Sequence, residues 1–173
     1  MIISARTTRF SALGIATLLT AATFGIASMA SAAETSSTMG VSATVTSNCA
    51  VSTTPIAFGN IDVTTGTAVD NTGGISVTCT NGTAWAAAAD AGLGVGGTIT
   101  TRKMTSGSDL LNYGLYTDSG HTTVWGDGTD GSTTTGTGTG TAQATTIYGR
   151  VLASQNAAPA GSYADTVAVT LTY

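Results

Sequence analysis

The feature that most constrains this chain is the alternation in its last eleven residues, Tyr163 to Tyr173. Val167, Val169, Leu171 and Tyr173 fall on one face, and Thr166, Ala168, Thr170 and Thr172 fall on the other. A period of two with β-branched residues predicts a half-buried strand. The pattern continues to the last residue of the sequence, so the strand is expected to lack a following partner within it. An uncovered apolar strand is an aggregation hazard. Something else is therefore expected to complete this edge.

The opposite end reads as an export signal. Arg6 and Arg9 form a basic start, Leu13 to Ile26 is an apolar stretch, and Ala30-Ser31-Ala32 offers a small-residue cleavage site. The signal peptide is assigned to residues 1–33, with cleavage after Ala30, Ala32 or Ala33. A membrane anchor is the weaker reading, because the run is short and interrupted by Thr17, Thr20 and Thr23. No span is expected after cleavage.

About 140 residues then remain, enough for one domain with a real core. Three basic residues (Arg102, Lys103 and Arg150) face nine acids, a net charge of about −6. Nucleic acid and anionic membrane surfaces bind through clustered cations, so neither is an expected partner. Charged residues are scarce and Thr, Gly, Ala and Ser dominate, as in an extracellular β protein. Cys49 and Cys79, an even count in an exported chain, are expected to form one disulfide. Closing a loop of about thirty residues stabilises a fold by roughly 3–4 kcal/mol on the chain-entropy estimate.

Apolar residues recur at intervals of two along the rest of the chain, and glycine interrupts nearly every window long enough for a helix. Strands are predicted over 39–45, 56–61, 74–79, 98–104, 111–117, 122–125 and 142–152, besides the terminal one. Residues 84–91, rich in alanine, are read as a strand with a short helix as the alternative. Residues 126–141, a Gly/Thr tract, are read as a flexible surface loop. Many short strands separated by turn residues predict an antiparallel sandwich or barrel.

No constellation recommends an enzyme. His121 is the sole histidine, in Asp118-Ser-Gly-His, and is read as a solvated turn residue. It has no adjacent nucleophile or orienting partner in sequence. Most aspartates adjoin Gly, Asn, Thr or Ser, where they serve turns. Asp127-Gly-Thr-Asp130-Gly lacks the periodic acids and closing glutamate of a calcium loop. Trp85, Trp125, Tyr113 and Tyr116 form either the core or a sugar-stacking platform, and core packing is the favoured reading. No cofactor or metal is expected.

The order of motifs resembles the spore coat protein U domain family, which includes subunits of archaic chaperone–usher pili. The matching pieces are Val45-Thr-Ser-Asn-Cys49, Ile56-Ala-Phe-Gly59, Ile75-Ser-Val-Thr-Cys79 and Arg102-Lys-Met104. They continue with Leu111-Asn-Tyr-Gly-Leu-Tyr116, Trp125-Gly-Asp-Gly128, Tyr148-Gly-Arg150 and Gly161-Ser-Tyr-Ala-Asp165. The Gly/Thr repeat at 133–141 departs from the pattern as a local elaboration.

The resemblance implies an all-β, incomplete immunoglobulin-like antiparallel sandwich that donor-strand complementation completes. It implies a periplasmic chaperone, an outer-membrane usher and neighbouring pilins as partners, with passage through the periplasm to a surface pilus. Residues 34–46 would be the donor-strand extension, presenting Met39, Val41, Ala43 and Val45, and 47–173 the pilin domain. Val167, Val169, Leu171 and Tyr173 would line the acceptor groove and contact the chaperone. The same 39–45 alternation also suits an ordinary first strand of its own domain. A non-polymerising coat or matrix protein, or a carbohydrate-binding adhesin module, are the competing functions.

Overall fold

In the computed structural model, the described residues are 31–173. Residues 1–30, on which most of the signal-peptide reading falls, lie outside them. The chain divides into two units, Met1–Ser42, described over 31–42, and Ala43–Tyr173. In the first unit the described residues are exposed and carry no secondary structure.

The second unit is an all-β, immunoglobulin-like sandwich of eight strands in two antiparallel sheets. They are β1 (Cys49–Thr54), β2 (Val69–Cys79), β3 (Ala84–Ala89), β4 (Arg102–Ser106), β5 (Asp109–Tyr116), β6 (Thr134–Thr137), β7 (Gln143–Val151) and β8 (Val169–Thr172). The larger sheet runs β1-β2-β7-β5-β4 and the smaller β6-β3-β8. A single 3₁₀ turn, Val63–Thr65, is capped by the Asp62 side chain on the Thr64 N–H.

Alternation places one set of side chains inside. Ile75, Val77 and Cys79 of β2, Leu111, Tyr113 and Leu115 of β5, and Ile147 and Val151 of β7 pack against Trp85, Ala87 and Ala89 of β3 and against Trp125. Cys49 and Cys79 stand directly opposite each other across β1 and β2 and form the disulfide. The tryptophans and Tyr113 are buried, so the sugar-platform alternative fails. Trp125 meets its polar requirement by donating from Nε1 to the Ala87 carbonyl.

The sheets are tied by Arg102, whose side chain is fully buried. It donates only to backbone carbonyls: Nε to Asp90, Nη1 to Ile99, and Nη2 to Ala89 and Trp125, at 2.7–3.3 Å. Burial lowers its pKa. The planar fork of the guanidinium suits four acceptors spread over three segments.

Several expectations need correction. The Gly/Thr tract is not all loop, because β6 forms within it and pairs with β3. Gly136 is there for packing, since a Cβ on it would collide with the Trp85 ring. Residues 56–61 form no strand, and Ile56 and Phe58 instead pack onto the core. Residues 122–125 contribute only isolated bridges, Tyr116–Val124 and Trp125–Ser132. Residues 39–45 carry no strand. The strand over 98–104 begins only at Arg102, and the terminal ladder only at Val169.

His121 does occupy a turn, with φ of 55°, but it is not solvated. Its side chain is 7% exposed, lies edge-on to Tyr116 and Tyr148, and brings Nε2 to 3.7 Å from Asp70 Oδ1. Asp70 is already engaged by both Arg150 Nε and Nη2.

Candidate functional site: an apolar cleft between two strand edges

β1 ends one sheet and β8 ends the other. Toward the Thr54 end of β1 an open cleft of about 340 Å³ lies between these edges. Ile75, Leu115 and Ile147 of the larger sheet form its floor together with Trp125 from the segment between β5 and β6. One wall is Thr53, Thr54, Pro55, Ile56 and Phe58, and the other is Tyr163 to Asp165 with Val167 and Val169. Backbone groups on the open side of an edge strand have no ladder partner, so a cleft of this kind offers main-chain donors and acceptors beside an apolar trough.

Of the four terminal-strand residues singled out from the sequence, Val167 and Val169 line the cleft. Leu171 packs against the core without lining it, and Tyr173 is exposed beside Ala84, Ala86 and Thr172. Burial alternates along β8 as the sequence predicts, with Val169 and Leu171 half-buried between exposed Thr170 and Thr172. Ile56, Phe58, Met104 and Tyr163 also line the cleft and were not singled out. Their signal is weak because they come from irregular segments or a short edge strand.

The wall before β8 is held by two carboxylates. Asp165 accepts from the Tyr113 hydroxyl at 2.7 Å and from the Leu93 and Thr166 N–H groups at 2.8 Å. Asp90 accepts from the Ala168 and Gly92 N–H groups, both at 2.9 Å. Burial first, and the bond to Asp165 second, push the Tyr113 phenol well above its ordinary range. Tyr113 is therefore a hydrogen-bond donor at any physiological pH and anchors the Asp165 carboxylate in the wall. With the reciprocal backbone bonds between Ala164 and Thr105, these contacts hold a wall that has no continuous ladder.

At the other end of β1, the chain entering the domain is tied down. Asn48 exchanges bonds with Thr80: its N–H donates to Oγ1 at 3.1 Å, and its carbonyl accepts from the Thr80 N–H at 2.9 Å. Thr80 Oγ1 lies 3.3 Å from the Thr46 carbonyl, and Thr83 Oγ1 donates to Ser47 Oγ at 3.3 Å. Beyond this root Met39, Val41 and Val45 are 83–89% exposed, and Ala43 is exposed as well. Four apolar residues at alternate positions stand in water. Among the described residues no group of three or more His, Cys, Asp or Glu side chains is placed to hold a metal.

The family model described as Spore Coat Protein U domain matches residues 35–170. No curated protein matches the chain. Among solved structures, the fold is similar to a chain in the CsuC–CsuE chaperone–tip adhesion subunit pre-assembly complex from archaic chaperone–usher Csu pili of Acinetobacter baumannii. That likeness has a TM-score of 0.56 at 21% identity, covering 75% of this chain and 40% of the other. The chain thus spans well under half the length of that neighbour.

Proposed function

The chain belongs to the Spore Coat Protein U domain family, and on that footing we propose that it is a structural subunit of a chaperone–usher surface pilus, serving adhesion and biofilm formation. The observation that carries this reading is the cleft, an apolar trough flanked by two strand edges, in a chain that also exposes an apolar alternating arm. In the proposal, residues 1–33 direct export and are removed, 34–46 form the donor arm, and 47–173 form the acceptor domain. Met39, Val41, Ala43 and Val45 enter the cleft of a second copy as an added strand. Main-chain bonds supply strength, and the alternate side chains set register.

Burying the three larger arm residues is worth about 1.5–3 kcal/mol each. A periplasmic chaperone strand would occupy the cleft beside Val167 and Val169 before assembly, and an outer-membrane usher would deliver subunits for exchange. Because the arm and the cleft are different surfaces, the contact is heterologous and propagates as a filament.

Unboiled samples of the assembled protein are expected to run as an SDS-resistant ladder. Deleting residues 34–46 should reduce that ladder to monomer while leaving the export signal intact. A ladder that survives the deletion would rule out the donor-arm assignment.

A further inference from the structure

Outside the arm, the most exposed large apolar residues of the domain are Leu93 and Val95, at 76% and 79%. They lie in the loop that follows β3, at the end of the sandwich opposite the disulfide. The loop adjoins the cleft directly, since the Leu93 N–H donates to Asp165, a cleft-wall residue, at 2.8 Å. A Cβ on Gly92 or Gly94 would collide with Asp165 or with the Lys103 carbonyl, so the glycines let the loop lie flat there. From Ala91 to Thr101 the loop carries no charge.

We propose that Leu93 and Val95 form an end-to-end docking surface for the disulfide end of the next copy of this chain. The inference rests on the donor-strand reading and adds a second contact to it. Its physical basis is the absence of slack in the arm. Thr46, Ser47 and Asn48 are already bonded to Thr80 and Thr83 of their own domain. If Val45 sits in a neighbour's cleft, the donor's body must begin within one or two residues, at roughly 3.3 Å each.

The direction of insertion follows from where the cleft lies. Its lining draws on the stretches 53–58 and 163–169 but on none of Cys49 to Ser52 or Leu171 to Tyr173. A donor strand that runs antiparallel to β8 carries its C-terminal end, and its body, to the Leu93–Val95 end. The reverse direction would bring that body toward the Cys49 end, where the acceptor's own arm is rooted. The surface that arrives, Thr46 to Asn48 with Thr80 to Thr83, is uncharged like the loop it meets. Subunits would therefore dock against one another and not hang as beads on flexible linkers.

Photocross-linking of the assembled full chain tests this. Val95→p-benzoylphenylalanine is expected to cross-link to residues 43–48 or 80–83 of a neighbouring copy, as read by peptide mass spectrometry of the ladder. A Gly-Ser-Gly-Ser insertion between Val45 and Thr46 should keep the ladder and abolish that cross-link. A normal ladder whose cross-links fall elsewhere, or on a chaperone, or survive the insertion unchanged, overturns the docking surface and leaves the donor-arm reading standing. A wild-type chain that forms no ladder overturns both.

Discussion

At the scale of single residues, the fold depends on a few polar side chains whose partners lie far away in sequence. Arg102 is the clearest case, a buried cation with four carbonyl acceptors and no carboxylate bonded to it. Arg102→Met would leave those carbonyls buried without donors, and each such loss costs about 1–3 kcal/mol. A net destabilisation of roughly 3 kcal/mol or more is expected, a fall of about 10 °C in Tm by thermal denaturation of the oxidised domain. An unchanged Tm would mean that the guanidinium is not what ties the sheets.

The turn roles of the aspartates were legible from their neighbours. Asp118 accepts from the Thr122 and Thr123 N–H groups, which hold its carboxyl down at about 2. Asp127 likewise accepts from Thr129 and Asp130. Asp165, beside Thr166, carries the same turn signal and Asp90, between two alanines, does not, yet both brace the cleft wall through partners 72–78 residues away. His121 was misread for a related reason. A turn position implies solvent only when nothing packs over it, and Tyr116 and Tyr148 do.

At the scale of elements, alternation was a reliable guide to the inward face of the strands that pair. β2, β5, β7 and β8 each show inward residues at every second position. The alanine-rich β3 is a strand against its intrinsic preference, since it sits between β6 and β8 at the centre of its sheet. Its small side chains leave room for the Trp85 and Trp125 rings. The Gly/Thr tract misled because glycine suggests flexibility, whereas in a strand it marks close approach.

Gly136→Val tests that reading. The added side chain meets the Trp85 ring, and overpacking of this kind costs about 1–3 kcal/mol. Thr135→Val, on the exposed face of the same strand, should cost little. If both variants unfold alike with heat, Gly136 is not a packing position. Residues 39–45 show the limit of the alternation rule, since the same period appears here in a segment without a ladder. Alternation states which face would be buried and leaves open what buries it.

At the scale of the whole molecule, the proposed function requires the apolar arm of one copy to fit the apolar cleft of another. A synthetic peptide of residues 35–47 should raise the Tm of the chain lacking 34–46, progressively with peptide concentration, as any ligand specific for the folded state does. The same peptide with Val41→Asp should raise it far less. Equal shifts from both peptides would show that the alternating side chains do not enter the cleft.

The sequence by itself determined the fold class, the disulfide, the inward faces of the long strands and the family. All of these follow from local periodicity, cysteine count and motif order. Only the tertiary structure decided where the cleft lies, that Val167 and Val169 line it while Tyr173 does not, and that Arg102, Asp90 and Asp165 hold its surroundings. Those facts depend on contacts between segments far apart in the chain. Periodicity reports a residue's environment along its own strand and carries no information about which distant segment will arrive opposite. The terminal alternation therefore announced a half-buried strand, and the packing of β1 against β8 decided which half of it faces an open trough.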